Sequence, residues 1–450
     1  MKLKLQYKWI NVFKQNCKKQ GETQMDIKDL IIKKRDKKEL NEEELHFFIQ
    51  KYFKEEMLEE QAASLLTLMY TNGITEREMA YLSTAMAETG EEIELYKVSN
   101  QIVDIHAIGG IQDKVIIAIV AILNSLKLPS CKIAGRELGM TDRLSSIQGF
   151  NYMKSVKELA ELLNNNGIAI IKEPIDLAPI ENKLYRLRNV TACNDCIPLI
   201  AMSIMSQKIA IGARNIVFDI PQGENAYVKN IQDARKLAKY FVQIGKNINR
   251  NIKCVITDFN EPIGKYFGNS LEIREIIDCL HGKMSVDMAD MIFNMGAEAI
   301  SIAIRKNNIK ECRKMIENSI NTGAAYSSLV DLIISQGGNL NIIQNIKTKN
   351  VIPVISTVSG YIKEIDVSSI REAAMYLNAI RARKDGILDI GAGIEFCKKI
   401  GDSVKQGEIL AFVHTNDDTR IQGGVQKVLE AFKMSEKIVK QKSRIVEIID

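Results

Sequence analysis

The sequence predicts an α/β protein built from a helical domain, a mostly parallel-sheet α/β domain and a C-terminal α+β module. Three observations carry that expectation. Residues 25–90 hold paired helix-capping signals and no strand-like run. From about residue 100, short apolar runs alternate with helical stretches, the pattern of parallel strands joined by crossover helices. After about residue 346 the texture changes to β-branched runs around a single helix.

The first 24 residues stand apart. They hold six lysines and one acid, Glu22, and their apolar cluster Trp9–Phe13 is too short for a signal peptide. Removing those six from 61 basic residues leaves 55, and removing Glu22 from 56 acids leaves 55. The body is therefore neutral, and the basic balance gives no argument for a nucleic-acid partner. Gly21-Glu22 can be encoded by a purine-rich stretch a few codons before Met25. The expectation is that translation starts at Met25 and that residues 1–24 are not native.

In the helical segment, Asn41 with Glu44 and Thr75 with Glu78 form capping boxes, and Gly73 and Gly90 end helices. Next comes a strand over Gln101–Ile105, a turn at Gly109 and Gly110, and Asp113 as N-cap of a strongly apolar helix. Strand, double glycine and helix N-terminus aim backbone N–H groups at an anion. Here His106 is present, but Ala107 and Ile108 offer no hydroxyl.

Strands follow at Ile168–Ile171, Ile216–Asp219 and Val255–Asp258, with helices at Ser155–Leu163 and Asn230–Ile244. Leu177–Gly212 interrupts them with two consecutive helical patterns. The expected domains are therefore 25–90 with 174–212 (helical), 100–173 with 213–345 (α/β) and 346–450 (α+β). A cleft between the first two is the expected ligand site. In the last module, a helix over Ser369–Ala382 precedes Gly401–Gly407, which resembles the hammerhead turn of biotinyl and lipoyl modules. No Met-Lys attachment site accompanies it, so it reads as structural.

No apolar run approaches the roughly 18 residues of a membrane span, which sets the expectation of a soluble, cytoplasmic protein. The eight cysteines are scattered through apolar segments, as buried reduced thiols are. Cys193-Asn-Asp-Cys196 has redox-motif spacing but no second pair or nearby histidines for zinc.

Four segments together resemble pyrimidine-nucleoside and thymidine phosphorylases: 29–45 (DLIIKKRDKKELNEEEL), 184–208 (LYRLRNVTACNDCIPLIAMSIMSQK), 258–277 (DFNEPIGKYFGNSLEIREII) and 398–416 (KKIGDSVKQGEILAFVHTN). The resemblance runs in order from about Met25. It implies a homodimer whose helical and α/β domains close over a pyrimidine nucleoside and phosphate. The implied reaction is phosphorolysis to free base and (deoxy)ribose 1-phosphate, with no cofactor. The related phosphoribosyltransferases share the fold, but their Gly-Thr-Gly-Gly-Asp loop is not what Ile108–Asp113 spells.

By the same resemblance, Arg188, Tyr185, Ser203 and His106 surround the pyrimidine, His106 as the catalytic candidate. Gln207 stands for a lysine. It lacks the charge but can hydrogen-bond a carbonyl. The phosphate side departs from the pattern. Lys-His-Ser-Thr-Gly-Gly is here Ile105-His106-Ala107-Ile108-Gly109-Gly110, a downstream hydroxyl is Ile116, and a further serine is Ala134. A His-Thr-Gly-Gly after Gly139 is deleted. Losing one charged hydrogen bond costs about 1.5–3 kcal/mol, so together these changes predict weak or lost phosphorolysis. The alternative is a non-catalytic paralogue that binds a base or nucleoside, or partners an intact homologue. The family's monovalent-cation site retains Glu275 and Pro262-Ile263-Gly264, but its threonine is Lys114, whose ammonium is expected to take the cation's place.

Overall fold

A computed structural model of the chain describes residues 25–91, 93, 95–109, 113–135, 139–174, 176–340, 346–381 and 386–450. The 1–24 extension and Gly110 lie outside the described residues, and nothing here bears on the expected start at Met25.

Four helices open the fold: α1 (Ile27–Arg35), α2 (Glu42–Phe53), α3 (Glu59–Asn72) and α4 (Glu76–Ala87). Both expected capping boxes form, on α2 and α4, satisfying helix-end N–H groups reciprocally. Gly73 closes α3. Gly90 lies beyond the end of α4, where a Cβ would come 2.2 Å from the Asp176 carbonyl oxygen. Its role is close approach of two backbones as much as helix termination.

The chain then enters β1 (Val103–Ala107), α5 (Lys114–Ser125), β2 (Ser130–Ala134), α6 (Met140–Ser145), α7 (Val156–Asn166) and β3 (Ile168–Lys172). Helices α8 (Pro179–Val190) and α9 (Ile197–Ile211) precede β4 (Asn215–Gln222), α10 (Ile231–Asn247) and β5 (Asn251–Asp258). Strand β1 begins two residues later than the sequence suggests. Its register against β4 pairs Val103 with Asn215 and Ala107 with Asp219. That tertiary pairing carries the strand on through His106.

The central sheet has the order 445–449, β5, β4, β1, β2, β3. Strands β1 to β5 are parallel to their neighbours, and Ile445–Ile449 is antiparallel to β5. The expected fold class holds. One boundary differs: the segment 346–450 sends its last strand back to the central sheet instead of keeping it in the C-terminal module. That strand's alternating exposure suits an outer position.

Helices α8 and α9 share a core with α1–α4: Ile180, Leu184, Leu187, Leu199 and Met202 pack with Leu45, Phe48, Leu66 and Leu82. From the other side of α9, Ala201 and Met205 pack with Phe218 of β4 and Phe241 of α10. Helix α9 therefore joins the helical bundle to the sheet. After β5 come α11 (Asn269–Leu280) and α12 (Val286–Ile304). The C-terminal module packs its own core around Ile362, Ile370, Ala411, Val413 and Val428. Its helix, Val367–Tyr376, starts and ends earlier than expected, and the turn strand Ser403–Val404 pairs with Gly360–Tyr361.

Candidate functional site

Helix periodicity builds the first part of the site. Tyr185 and Arg188 lie three apart on α8, and Ser203 and Gln207 four apart on α9, so each pair shares a helix face. Arg188 is 2% exposed. Its Nη2 donates to Ser203 Oγ at 3.2 Å, and the Ser203 hydroxyl donates to Glu181 Oε1 at 2.5 Å. The Tyr185 ring centroid lies 5.6 Å from the Arg188 guanidinium carbon. Burial pulls the Arg188 pKa down, and Glu181 pulls it back up.

Two more Arg188 nitrogens, Nε and Nη1, are buried with no hydrogen-bond partner among the described residues. A guanidinium left in that state is costly unless a ligand completes it. Gln207 donates from Nε2 to Glu173 Oε1 at 3.1 Å, so one of its amide protons already belongs to a carboxylate. Neither Glu173 nor Glu181 stands out in the sequence, because each becomes a neighbour of α9 only through the fold.

His106 comes from β1, and no hydrogen bond among the described residues joins it to Arg188, Ser203 or Tyr185. Its Nδ1 has no hydrogen-bond partner among the described residues, and its ring meets Phe218 edge-on at 5.9 Å. Burial, then Lys208 and Lys132, holds its pKa well below the ordinary histidine value, so the ring is neutral at pH 7. Lys208, next to Gln207, pairs with Asp104 at 2.8 Å, two residues before His106 on β1. That pair ties the two halves of the site together.

The glycine turn is a different matter. Gly109 has φ +91°, which only glycine takes easily. Around it, Ile105, Ala107, Ile116 and Ala134 all belong to the main hydrophobic core. Asp113 does stand at the N-cap of α5, but it caps nothing through its side chain. Its carboxylate accepts from the Arg143 guanidinium, which also bonds Glu272. A charged partner outcompetes a helix-end N–H. Lys132 is also buried here. Burial pushes its pKa down to about 8, and Asp113 is the strongest of its opposing neighbours.

Beside the loop, Lys114 Nζ lies 2.7 Å from Glu275 Oε2 and 2.7 Å from the Tyr266 carbonyl. The other Glu275 oxygen accepts from the Lys265 N–H at 2.6 Å. Gly264 (φ +72°) has to be glycine, since a Cβ would stand 2.5 Å from Glu275 Oε1. A second ammonium escaped the sequence reading: Lys399 reaches the Pro262 and Gly264 carbonyls and sits 3.1 Å from Asp287. Cys193 and Cys196 are free thiols buried in the helical core. Among the described residues no cluster of metal-ligating side chains occurs, and no helix is long and apolar enough to cross a membrane.

Comparison with known proteins bears on this arrangement along most of the chain. Residues 28–90 match the helical bundle domain of a glycosyl transferase family, and 99–326 match the a/b domain of a glycosyl transferase family. Residues 361–435 match the pyrimidine nucleoside phosphorylase C-terminal domain. The pyrimidine-nucleoside phosphorylase of Staphylococcus haemolyticus is 35% identical over 91% of this chain and 96% of its own length. The chain belongs to the pyrimidine-nucleoside phosphorylase family. The Geobacillus stearothermophilus member is 34% identical over the same shares, 91% and 96%. Anthranilate phosphoribosyltransferase from Thermus thermophilus shares the fold, with a TM-score of 0.56 at 14% identity, over 68% of this chain and 99% of its own.

Proposed function

We propose that this family member binds a pyrimidine base or nucleoside between α8, α9 and the ends of the central strands, and that its phosphorolysis is very weak or lost. The observation that carries the second half is the burial of Ile105, Ala107, Ile116 and Ala134 in one apolar core. These are the positions where the family resemblance implies the phosphate ligands. At these four positions no cation or hydroxyl is left to hold an anion beside the sugar. Lys132 remains, but Asp113 stands against it.

The first half is supported by the buried Arg188 with two partnerless nitrogens beside Tyr185 and Ser203. His106, neutral and at the end of β1, is the candidate group at the sugar side. Lys114 on Glu275 and the Tyr266 carbonyl stands, in this reading, for a monovalent cation that fixes the 262–266 loop. A homodimer in the cytoplasm, working without cofactor, belongs to the same proposal. The test is incubation with uridine or thymidine, with and without phosphate, following release of free base. The expected result is negligible phosphate-dependent release. Turnover like that of an ordinary family enzyme would overturn the proposal.

A further inference from the structure

The base subsite has a definite hydrogen-bond polarity. Ser203 has one proton, and it goes to Glu181, while one of its lone pairs takes the Arg188 N–H. It therefore has nothing to donate to a ligand carbonyl and can only accept. One turn on, Gln207 directs Nε2 to Glu173. An amide cannot reverse that orientation, since its oxygen would then face a carboxylate. Its Oε1 is left as a second acceptor on the same face of α9. The donors on offer are Arg188 Nε and Nη1, both buried and without a hydrogen-bond partner among the described residues, and the second proton of Nη2.

We propose that this subsite selects an amino-bearing pyrimidine, cytosine or its nucleoside, over uracil and thymine. The inference rests on the reading that the site takes a pyrimidine. Cytosine presents two adjacent acceptors, O2 and N3, followed by an amino donor at C4. Two adjacent guanidinium donors, the second Nη2 proton with its neighbour Nε or Nη1, satisfy the first two together, and an acceptor such as Gln207 Oε1 satisfies the third. Uracil and thymine present acceptor, donor, acceptor. Their N3–H would point at the guanidinium, and their O4 would meet the acceptor face. The second proton of Gln207 Nε2 could reach O4, but it lies next to the Glu173 carboxylate, which repels a carbonyl oxygen and attracts an amino group. A site built around polar groups discriminates strongly because a mismatched base leaves them unpaired.

Calorimetry on the full chain with cytidine, uridine and thymidine, and with the three free bases, tests this. The expected result is cytidine or cytosine binding at least about tenfold tighter than the others, a gap one well-placed hydrogen bond supplies. Equal or tighter binding of uridine or thymidine would overturn the selectivity and leave the pyrimidine reading standing. No binding of any of the six overturns that reading, and this inference with it. Gln207→Lys exchanges acceptor for donor at a partly exposed position, and it should shift the ratio toward uridine by about tenfold or more. An unchanged ratio in a variant that melts like the parent would remove Gln207 from the assignment.

Discussion

The Lys114 ammonium and the Glu275 carboxylate meet at 2.7 Å in the interior, each almost wholly shielded from water. Their charges lie on α5 and α11, and the Tyr266 carbonyl completes the ammonium's surroundings. The glycine turn and the 262–266 loop are thus joined by a bond that belongs to the chain.

Lys114→Thr should destabilise the fold by about 3–5 kcal/mol, because Glu275 is left buried without its counter-charge. In the parent, the melting temperature should be the same in potassium chloride as in choline chloride. In the variant, potassium should recover part of the loss, since a free cation can reach the vacated oxygens. A parent that needs potassium for its stability would contradict the assignment.

Asp219 gives a pH signature. Burial pushes its pKa up to about 7, although the Thr257 hydroxyl donates to it at 2.7 Å and works the other way. A carboxyl raised in the folded state holds its proton there when the unfolded chain has released it. Stability should therefore fall as pH rises from about 4 to about 7 and level off above, by an amount on the order of a few kcal/mol. Asp219→Asn keeps an acceptor for Thr257 and should flatten that slope. Melting curves across pH 4–8 measure it.

Restoring the phosphate side should cost stability. Ile105→Lys with Ala107→Ser and Ala134→Ser returns polar groups to a packed core, and an unpaired buried charge costs several kcal/mol. The triple variant should melt well below the parent, and saturating phosphate should raise its melting temperature while leaving the parent's unchanged. Phosphate-dependent release of base should increase. If release does not change, the missing ligands are not what limits the parent.

Arg188→Met keeps much of the side-chain volume and removes every donor. Pyrimidine binding should weaken by more than about tenfold, the worth of a charge-assisted hydrogen bond. Unchanged affinity by calorimetry would place the ligand elsewhere.

What the sequence made legible was local. Asn41 with Glu44 and Thr75 with Glu78 lie within one helical turn of each other, so their boxes follow from spacing alone. The alternation of apolar runs and helices likewise led to the parallel sheet. The partners of Asp113, Gln207 and Lys399 did not follow, because Arg143, Glu173 and Asp287 arrive through tertiary packing. Asp113 was expected to cap a helix, and at the right position it holds an arginine instead. The resemblance supplied Arg188 and Ser203. The direction of Gln207's amide needed coordinates.

The pairing of Ile445–Ile449 with β5 has a consequence for how the molecule is made. The whole C-terminal module lies between those two strands in sequence, so on the ribosome β5 waits with a bare edge while the rest of the sheet can already assemble. Until residues 445–449 emerge, that edge lacks its partner strand. Pairing of Ile445–Ile449 covers the β5 edge, so a chain lacking this strand leaves a row of unpaired backbone groups open to association with another strand.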